Sequence, residues 1–290
     1  MVEDYFCKFT IITINYNNRD GLERTIESVI SQNFSDYEYL IIDGGSNDGS
    51  VDIIKKFSNQ ISYWVSEPDN GIYNAMNKGI QKARGEYLNF MNSGDVFYNF
   101  DTLKSIVKIG MNSDIVLGDT YENKYKKIYP LRSNDPQELS LLDLYFYGIN
   151  HQAAFIKKSL FSNTYYDENL KICGDWYFFV SKLVFENGSI QIVNNPVVIY
   201  DMGGISTNSS TECIKEKKEI LGRLLPQRIY LDYMKFDNWY KSPLLDVMIT
   251  TKDDYRFQLF CSWMLKKIYF LYSLFISLFW SSGKRSSGRR

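Results

Sequence analysis

Three short runs in this 290-residue chain gather carboxylates, amides and glycines in patterns that suit the handling of a diphosphate. The first, Ile41-Ile-Asp-Gly-Gly-Ser-Asn-Asp-Gly-Ser50, sets Asp43 at the tip of an apolar segment, followed by glycines that let backbone approach a ligand closely. A carboxylate there can accept hydrogen bonds from a base or a ribose. The second, Ser66-Glu-Pro-Asp-Asn-Gly-Ile-Tyr-Asn-Ala-Met-Asn-Lys-Gly-Ile80, places a turn at Pro68–Gly71 before a helix whose Asn74, Asn77 and Lys78 share one polar side. Amides and an ammonium near a helix N-terminus suit a diphosphate, and Glu67, Asn77 and Lys78 are candidates for binding a nucleotide there. The third, Tyr87-Leu-Asn-Phe-Met-Asn-Ser-Gly-Asp95, is an apolar run ending in a carboxylate. Asp95 can hold a hard divalent cation with few protein ligands, because magnesium or manganese takes its remaining oxygens from phosphates and water.

These runs act together only if the fold brings them to one place. The first hundred residues alternate β-branched segments with helical patterns: strands over Phe9–Asn15, Tyr37–Ile42, Ile61–Val65 and Tyr87–Phe90, and helices over Asp20–Ser31, Ser50–Phe57 and Ile72–Ala83. That order predicts an α/β fold with a mostly parallel, Rossmann-like sheet flanked by helices and joined by right-handed crossovers. Ligands then sit beyond the carboxyl ends of the strands. Those ends are Asn15–Asn18, Asp43–Gly49, Glu67–Gly71 and Asn92–Asp95, all rich in Asp, Asn, Gly and Ser. Any one of them also reads as a turn that caps the next helix. Four at the same edge of one sheet favour a shared polar site.

Composition removes several alternatives. A net charge of -1 gives no whole-chain signature for nucleic acid. Cys7, Cys173, Cys213 and Cys261 are widely spaced and form no CxxC pair, which argues against a disulfide framework and a zinc cluster and favours a reducing, cytoplasmic compartment. The N-terminal residues lack the basic start and apolar core of a signal peptide. His151 is the single histidine, so a His-rich metal site or a Ser-His-Asp triad would have to rest on it alone.

From Asp101 to Tyr200 the pattern turns mixed, with a helix expected over Asp175–Phe185 and strands over Ser189–Val193 and Val197–Tyr200. The organisation expected is a catalytic domain over 1–210, a helical extension over 211–256, and an amphipathic helix with a basic tail over 257–290. Leu259–Trp280 is crowded with Phe, Tyr, Trp, Leu and Ile, and on a helix Ser262, Lys266, Tyr269, Ser273 and Ser277 form one polar stripe. Its uninterrupted apolar run, Ile268–Trp280, extends roughly 20 Å against a hydrocarbon core of ~30 Å, which favours lying in the membrane interface over spanning it. Lys284, Arg285, Arg289 and Arg290 could each add about 1 kcal/mol of attraction to an anionic leaflet. Packing of this helix on the protein or on a second subunit is the other reading.

Taken in order, the first strand with Tyr16-Asn17, then IIDGGSNDGS, EPDNGIYNAMNKG and GEYLNFMNSGD, the chain resembles the family 2 glycosyltransferases, especially bacterial members of polysaccharide and lipopolysaccharide synthesis. The resemblance runs from about Phe9 to Ser206. It implies an A-type glycosyltransferase fold, a nucleotide-sugar donor held by Tyr16 and Asp43 with uridine as the usual base, and Asp95 as the metal and diphosphate residue. It also implies that Lys171-Ile-Cys-Gly-Asp-Trp-Tyr-Phe-Phe179 supplies the catalytic base, Asp175. His151-Gln-Ala-Ala-Phe155, with His151 and Gln152, and Gly203-Gly-Ile-Ser206, with Gly203 and Gly204, would line the sugar and acceptor cleft. Three positions depart from the common pattern: Gly44 replaces a frequent second Asp, Asn92 an opening Asp of the metal motif, and Met76 an Arg. Neutral Asn in place of Asp weakens metal binding.

The expected reaction is an in-line displacement. Asp175 takes the proton of an acceptor hydroxyl on a glycan or lipid-linked sugar, and the anomeric configuration inverts. The structural alternative for Asp175 is a helix N-cap. A nucleotidyltransferase would need a Gly-rich, basic loop after the first strand, where Asn15-Tyr-Asn-Asn-Arg19 has no such glycines. A catalytically silent, membrane-docked scaffold in a glycan assembly complex is the rival from another class, and the three departures are its support. The expected location is cytoplasmic, peripheral at the inner face of the plasma membrane.

Overall fold

The computed structural model describes residues 6–124, 127–131, 139–201, 210–240 and 254–283. It divides into two compact units, one through Arg223 and one from Leu224.

In the first unit the chain alternates strand and helix: β1 (Cys7–Asn15), α1 (Arg19–Ile30), β2 (Tyr37–Asp43), α2 (Ser50–Lys56), β3 (Tyr63–Ser66), α3 (Ile72–Lys82) and β4 (Gly85–Phe90). It continues through β5 (Val96–Phe97), α4 (Thr102–Ile109), β6 (Ile115–Lys124), β7 (Lys127–Leu131), α5 (Leu141–Phe146), β8 (Ala154–Lys157), α6 (Gly174–Val180), β9 (Ile190–Tyr200) and α7 (Ser210–Leu224). The strands form one sheet in the order β3-β2-β1-β4-β8-β6-β9-β5, with β7 paired to β6. Pairing is parallel from β3 to β4. Beyond β4 the sheet is mixed: β8 runs antiparallel to both β4 and β6, β9 is parallel to β6, and β5 is antiparallel to β9.

The interior β1 and β2 read as continuous apolar runs because both of their faces are covered. Phe9, Ile11, Ile12, Leu40 and Ile41 are buried there, as are Leu22, Ile26 and Val29 of α1. Each such side chain contributes on the order of 1.5–3 kcal/mol. Asn18 caps α1, its side chain accepting from the Gly21 N–H, and its amide donates to the Ser93 carbonyl at 3.0 Å, tying the β1 and β4 loops together.

Two details differ from the sequence reading. The segments Ser189–Val193 and Val197–Tyr200 form one strand, β9, because the Asn195-Pro196 interruption is absorbed by register shifts opposite Leu117–Thr120. The helix of Asp175–Phe185 begins at Gly174 and widens into a π turn over Ser181–Phe185. An aromatic cluster anchors this helix to β4: Phe178 stacks on Phe161 at 4.5 Å, and Tyr166 packs against both Phe178 and Phe90.

The second unit holds α8 (Gln227–Tyr240) and α9 (Tyr255–Gly283). Over Tyr255–Tyr272, α9 exposes Phe257, Leu259, Phe260, Trp263, Ile268 and Leu271. Among the described residues no helix is long and apolar enough to cross a membrane. The basic tail from Lys284 to Arg290 lies outside the described residues.

Candidate active site

The carboxyl ends of the parallel strands meet. Gly44 N–H donates to the Asn15 carbonyl at 2.9 Å, Glu67 N–H to the Asp43 carbonyl at 3.0 Å, and Ser93 N–H to the Ile14 carbonyl at 3.1 Å. Asp43 is the hub of this edge. Its Oδ1 accepts from Asn15 Nδ2 at 2.7 Å and Ser46 Oγ at 2.6 Å, and its Oδ2 from Ser46 N–H at 2.9 Å and Ser66 Oγ at 2.6 Å. Burial pushes this carboxyl up, but the hydrogen bonds of Ser46, Ser66 and Asn15 outweigh it and hold Asp43 below its ordinary value.

This corrects the expectation of Asp43 as an open acceptor for a base or ribose. It is fully buried, and its lone pairs face the loop it organises. Asp43→Ala strands those donors and is expected to cost about 3 kcal/mol or more, read as a lowered midpoint in denaturant. The sign with pH follows from a folded value below 3.8. The part of the difference that comes from ionisation is fully present above that ordinary value and is lost as the pH falls through the lower, folded one, while the cost of the stranded donors remains.

The residue in place of a second Asp, Gly44, has a steric explanation. A Cβ there would lie 2.5 Å from Asp69 Oδ2 and 3.2 Å from the Tyr16 ring. Asp69 thus brings its carboxylate, from a different loop, to the space that a side chain on Gly44 would occupy. Tyr16 stands 69 % exposed above it. Lys78 and Glu67 form an ion pair at 2.8 Å on the same rim. Asn77 does not join them. It is buried, donating to the Tyr166 carbonyl and Glu168 Oε1 at 2.9 Å each and accepting from Tyr166 N–H at 3.0 Å. The expectation that Asn77 meets a diphosphate is therefore corrected: its amide is committed to the Tyr166–Glu168 segment.

At the end of β4, Asp95 is 3 % exposed. Its Oδ1 accepts from Asp201 N–H at 2.8 Å and its Oδ2 from Gln152 Nε2 at 3.0 Å. Burial outweighs these bonds and raises the carboxyl to about 7. Gln152, expected in the sugar cleft, is instead a buried brace for Asp95. Gly94, at φ 109°, lets Asp201 approach, since a Cβ there would lie 2.8 Å from Asp201 Oδ2. Three residues before Asp95, Asn92 Oδ1 is buried without a hydrogen-bond partner. A carboxylate and an orphaned amide oxygen on one short turn are hard donors of the kind magnesium and manganese take, so the residues fit such a cation. Among the described residues no cluster of three or more His, Cys, Asp or Glu could hold a metal ion by itself. Any ion here would draw on phosphate and water for the rest of its shell.

Asp175 is the second residue of α6, whose cap position is Cys173. It is therefore not the N-cap. Its Oδ2 lies 2.7 Å from His151 Nδ1, and its Oδ1 accepts from Trp176 N–H at 2.8 Å and Tyr73 Oη at 3.1 Å. Burial raises this carboxyl, yet the His151 hydrogen bond, followed by the Trp176 N–H and the Tyr73 hydroxyl, brings it below its ordinary value. The carboxylate form is the one these groups favour. With Nδ1–H donating to Asp175, the other ring nitrogen of His151, Nε2, accepts from Asn92 Nδ2 at 3.0 Å. The imidazole thus bridges the turn that carries Asp95 to the helix that carries Asp175.

Gly203 and Gly204 lie outside the described residues. Sequence reasoning missed Asn15, Ser46, Ser66, Asp69, Tyr73 and Asp201. Asn15, Ser46, Ser66 and Asp69 carried a signal, as polar residues at the β1, β2 and β3 ends.

The sequence model described as "Glycosyl transferase family 2" matches residues 10–166. The chain belongs to this family. It is 42 % identical over 100 residues to an uncharacterised glycosyltransferase of Mycobacterium tuberculosis, a match spanning 34 % of this chain and 38 % of that relative's length. It is 29 % identical over 198 residues to a PGL/p-HBAD biosynthesis glycosyltransferase of Mycobacterium bovis, covering 66 % of this chain and 72 % of that one. Among solved structures, Staphylococcus aureus TarS 1–349 in complex with UDP-GlcNAc superposes with a TM-score of 0.61 at 20 % identity, over 77 % of this chain and 69 % of that one. A mannosyltransferase of Pyrobaculum calidifontis in complex with GDP-Man and Mn2+ gives 0.58 at 14 % identity, over 76 % and 64 %. The fold is the A-type glycosyltransferase fold.

Proposed function

We propose that this protein is an inverting glycosyltransferase that moves a sugar from a nucleotide-sugar, with UDP as the nucleotide, to a hydroxyl of a glycan or lipid-linked acceptor in surface polysaccharide synthesis. The observation that carries the reading is the placement of Asp175, whose carboxylate is met by His151 and Tyr73 and linked through His151 and Asn92 to the turn of Asp95. A base and a diphosphate-binding carboxylate on one hydrogen-bonded frame are what a single displacement at an anomeric carbon needs. Family membership supports the class, and the UDP-GlcNAc complex of TarS supports the choice of nucleotide.

In this reading Tyr16, Asp69, Glu67 and Lys78 form the rim that receives the nucleotide, and Asp43 keeps the loop beneath it in shape. Asp95 and Asn92 would hold a manganese or magnesium ion, which would supply positive charge against the departing diphosphate. Asp175 accepts the proton of the attacking hydroxyl, and His151 and Tyr73 orient its carboxylate. Calorimetric titration of the purified protein with UDP, with and without Mn2+, tests the donor site. Metal-dependent binding is expected. No binding of any nucleoside diphosphate would overturn the reading and favour a silent scaffold.

The apolar surface of α9 supports a peripheral position at the inner face of the plasma membrane, with the acceptor on a lipid carrier. Deleting residues 259–290 is expected to move the protein from vesicles of anionic lipid to the supernatant in a sedimentation assay. Unchanged partitioning would place the membrane contact elsewhere.

A further inference from the structure

Two of the four cysteines, 40 residues apart in sequence, are brought into contact beside the proposed base. Cys173 caps α6 two residues before Asp175, and its Sγ lies 2.8 Å from Sγ of Cys213 on α7. Both are free thiols in the structure. Cys173 is buried, and Cys213 is half-buried.

The surroundings of the pair are already docked. Glu216, one turn along α7 from Cys213, accepts from the N–H groups of Lys171, Ile172 and Cys173 at 2.8 to 3.0 Å. Lys217 Nζ reaches the Tyr145 carbonyl at 3.0 Å and stands 5.2 Å from the Trp176 ring centroid. The two sulfurs therefore meet between elements that are held together without a bond between them. The two thiols are also unequal. The hydrogen bond from Cys173, with help from the Lys217 ammonium, holds Cys213 below its ordinary value, while the same contact and burial raise Cys173. The more accessible sulfur is thus the better nucleophile, and the buried one is placed to resolve it.

We propose that Cys173 and Cys213 form a redox-modification site that a hydroperoxide converts to a disulfide, bracing the segment that presents Asp175 against α7. The Cys213 thiolate attacks one peroxide oxygen and the O–O bond breaks. The departing hydroxide takes up the thiol's proton as water and leaves a sulfenic acid on Cys213. The Cys173 sulfur attacks that sulfur, the S–S bond forms, the S–O bond breaks, and a second water leaves with the Cys173 proton. Two thiols are oxidised and hydrogen peroxide is reduced to two waters.

The site is independent of the donor and acceptor, so its test does not use transfer activity. The full chain is treated with stoichiometric hydrogen peroxide, quenched, unfolded and assayed for thiols, then digested without reduction for mass mapping. The expected result is a fall from four thiols to two, a single linked peptide joining Cys173 to Cys213, and reversal by dithiothreitol. Closing a loop of this length is expected to raise the melting temperature of the oxidised protein by about 5 °C or more. Cys213→Ser should abolish both the linked peptide and the increase, and Cys213→Ala serves if the serine variant does not fold. The proposal is overturned if Cys213 accumulates as a sulfinic acid without the linked peptide, if the linkage runs between chains through Cys261, or if the linked protein melts no higher than the reduced one.

Discussion

Replacing Asp175 by Asn is expected to lower turnover of donor sugar by on the order of 10²-fold or more while leaving nucleotide affinity unchanged. Asn has nearly the shape of Asp and can still accept from Trp176 N–H through its oxygen. It cannot take a proton from a hydroxyl, and it presents an N–H2 group toward His151 Nδ1 where the carboxylate accepts at 2.7 Å. Because Asp175 is not the helix cap, the change leaves α6 its start. Calorimetry with UDP, thermal melting and a single-turnover transfer assay on the same preparation separate the effects. Full turnover in the Asn variant removes the assignment of the base, whereas lost turnover together with a collapsed melting temperature assigns Asp175 to structure.

Asp95→Asn is expected to weaken Mn2+-dependent UDP binding by on the order of 10²-fold or more, because losing a direct ligand costs no less than the ~10- to 100-fold that losing an outer-shell partner costs. The fold should tolerate it. Burial raises this carboxyl to about 7, so its ionised form opposes folding. A carboxyl raised from 3.8 to about 7 supports stability fully below the lower value and loses that contribution as the pH rises through the upper one. Gln152 can turn its amide to accept from the new side chain, and Asp201 N–H keeps an oxygen to bind. Near pH 8 the variant should therefore melt no lower than wild type. An Asn variant that binds UDP and Mn2+ as wild type does would remove Asp95 from the donor site.

The elements of the first hundred residues are legible in the sequence because they rest on local physics. Continuous apolar runs such as Phe9–Asn15 and Tyr37–Ile42 suit strands covered on both faces. The Asp, Asn, Gly and Ser clusters between them suit the turns that start α1, α2 and α3. Periodicity therefore placed Asp43, Glu67 and Asp95 at one edge of the sheet. It said less about the mixed half, where the pairing of β8, β6 and β9 joins segments dozens of residues apart and one strand continues through Pro196.

Which of those polar residues face the cleft was decided by tertiary structure alone. Asn77 and Asp43 have the residue types of a ligand site, yet both are buried and satisfied by neighbours that no local pattern announces. Asp69 fills the space over Gly44 only because the β2 and β3 loops lie side by side. The chain from Asn92 through His151 to Asp175 spans 83 residues, and Cys173 meets Cys213 across 40. Such contacts depend on how elements dock, and docking is set by the summed burial of apolar faces, as where Phe161, Tyr166 and Phe178 seat α6 on β4. The sequence by itself determined the strands, the turns and the family motifs they carry. The docking of α6 and α7 decided which carboxylate meets His151 and which two thiols touch.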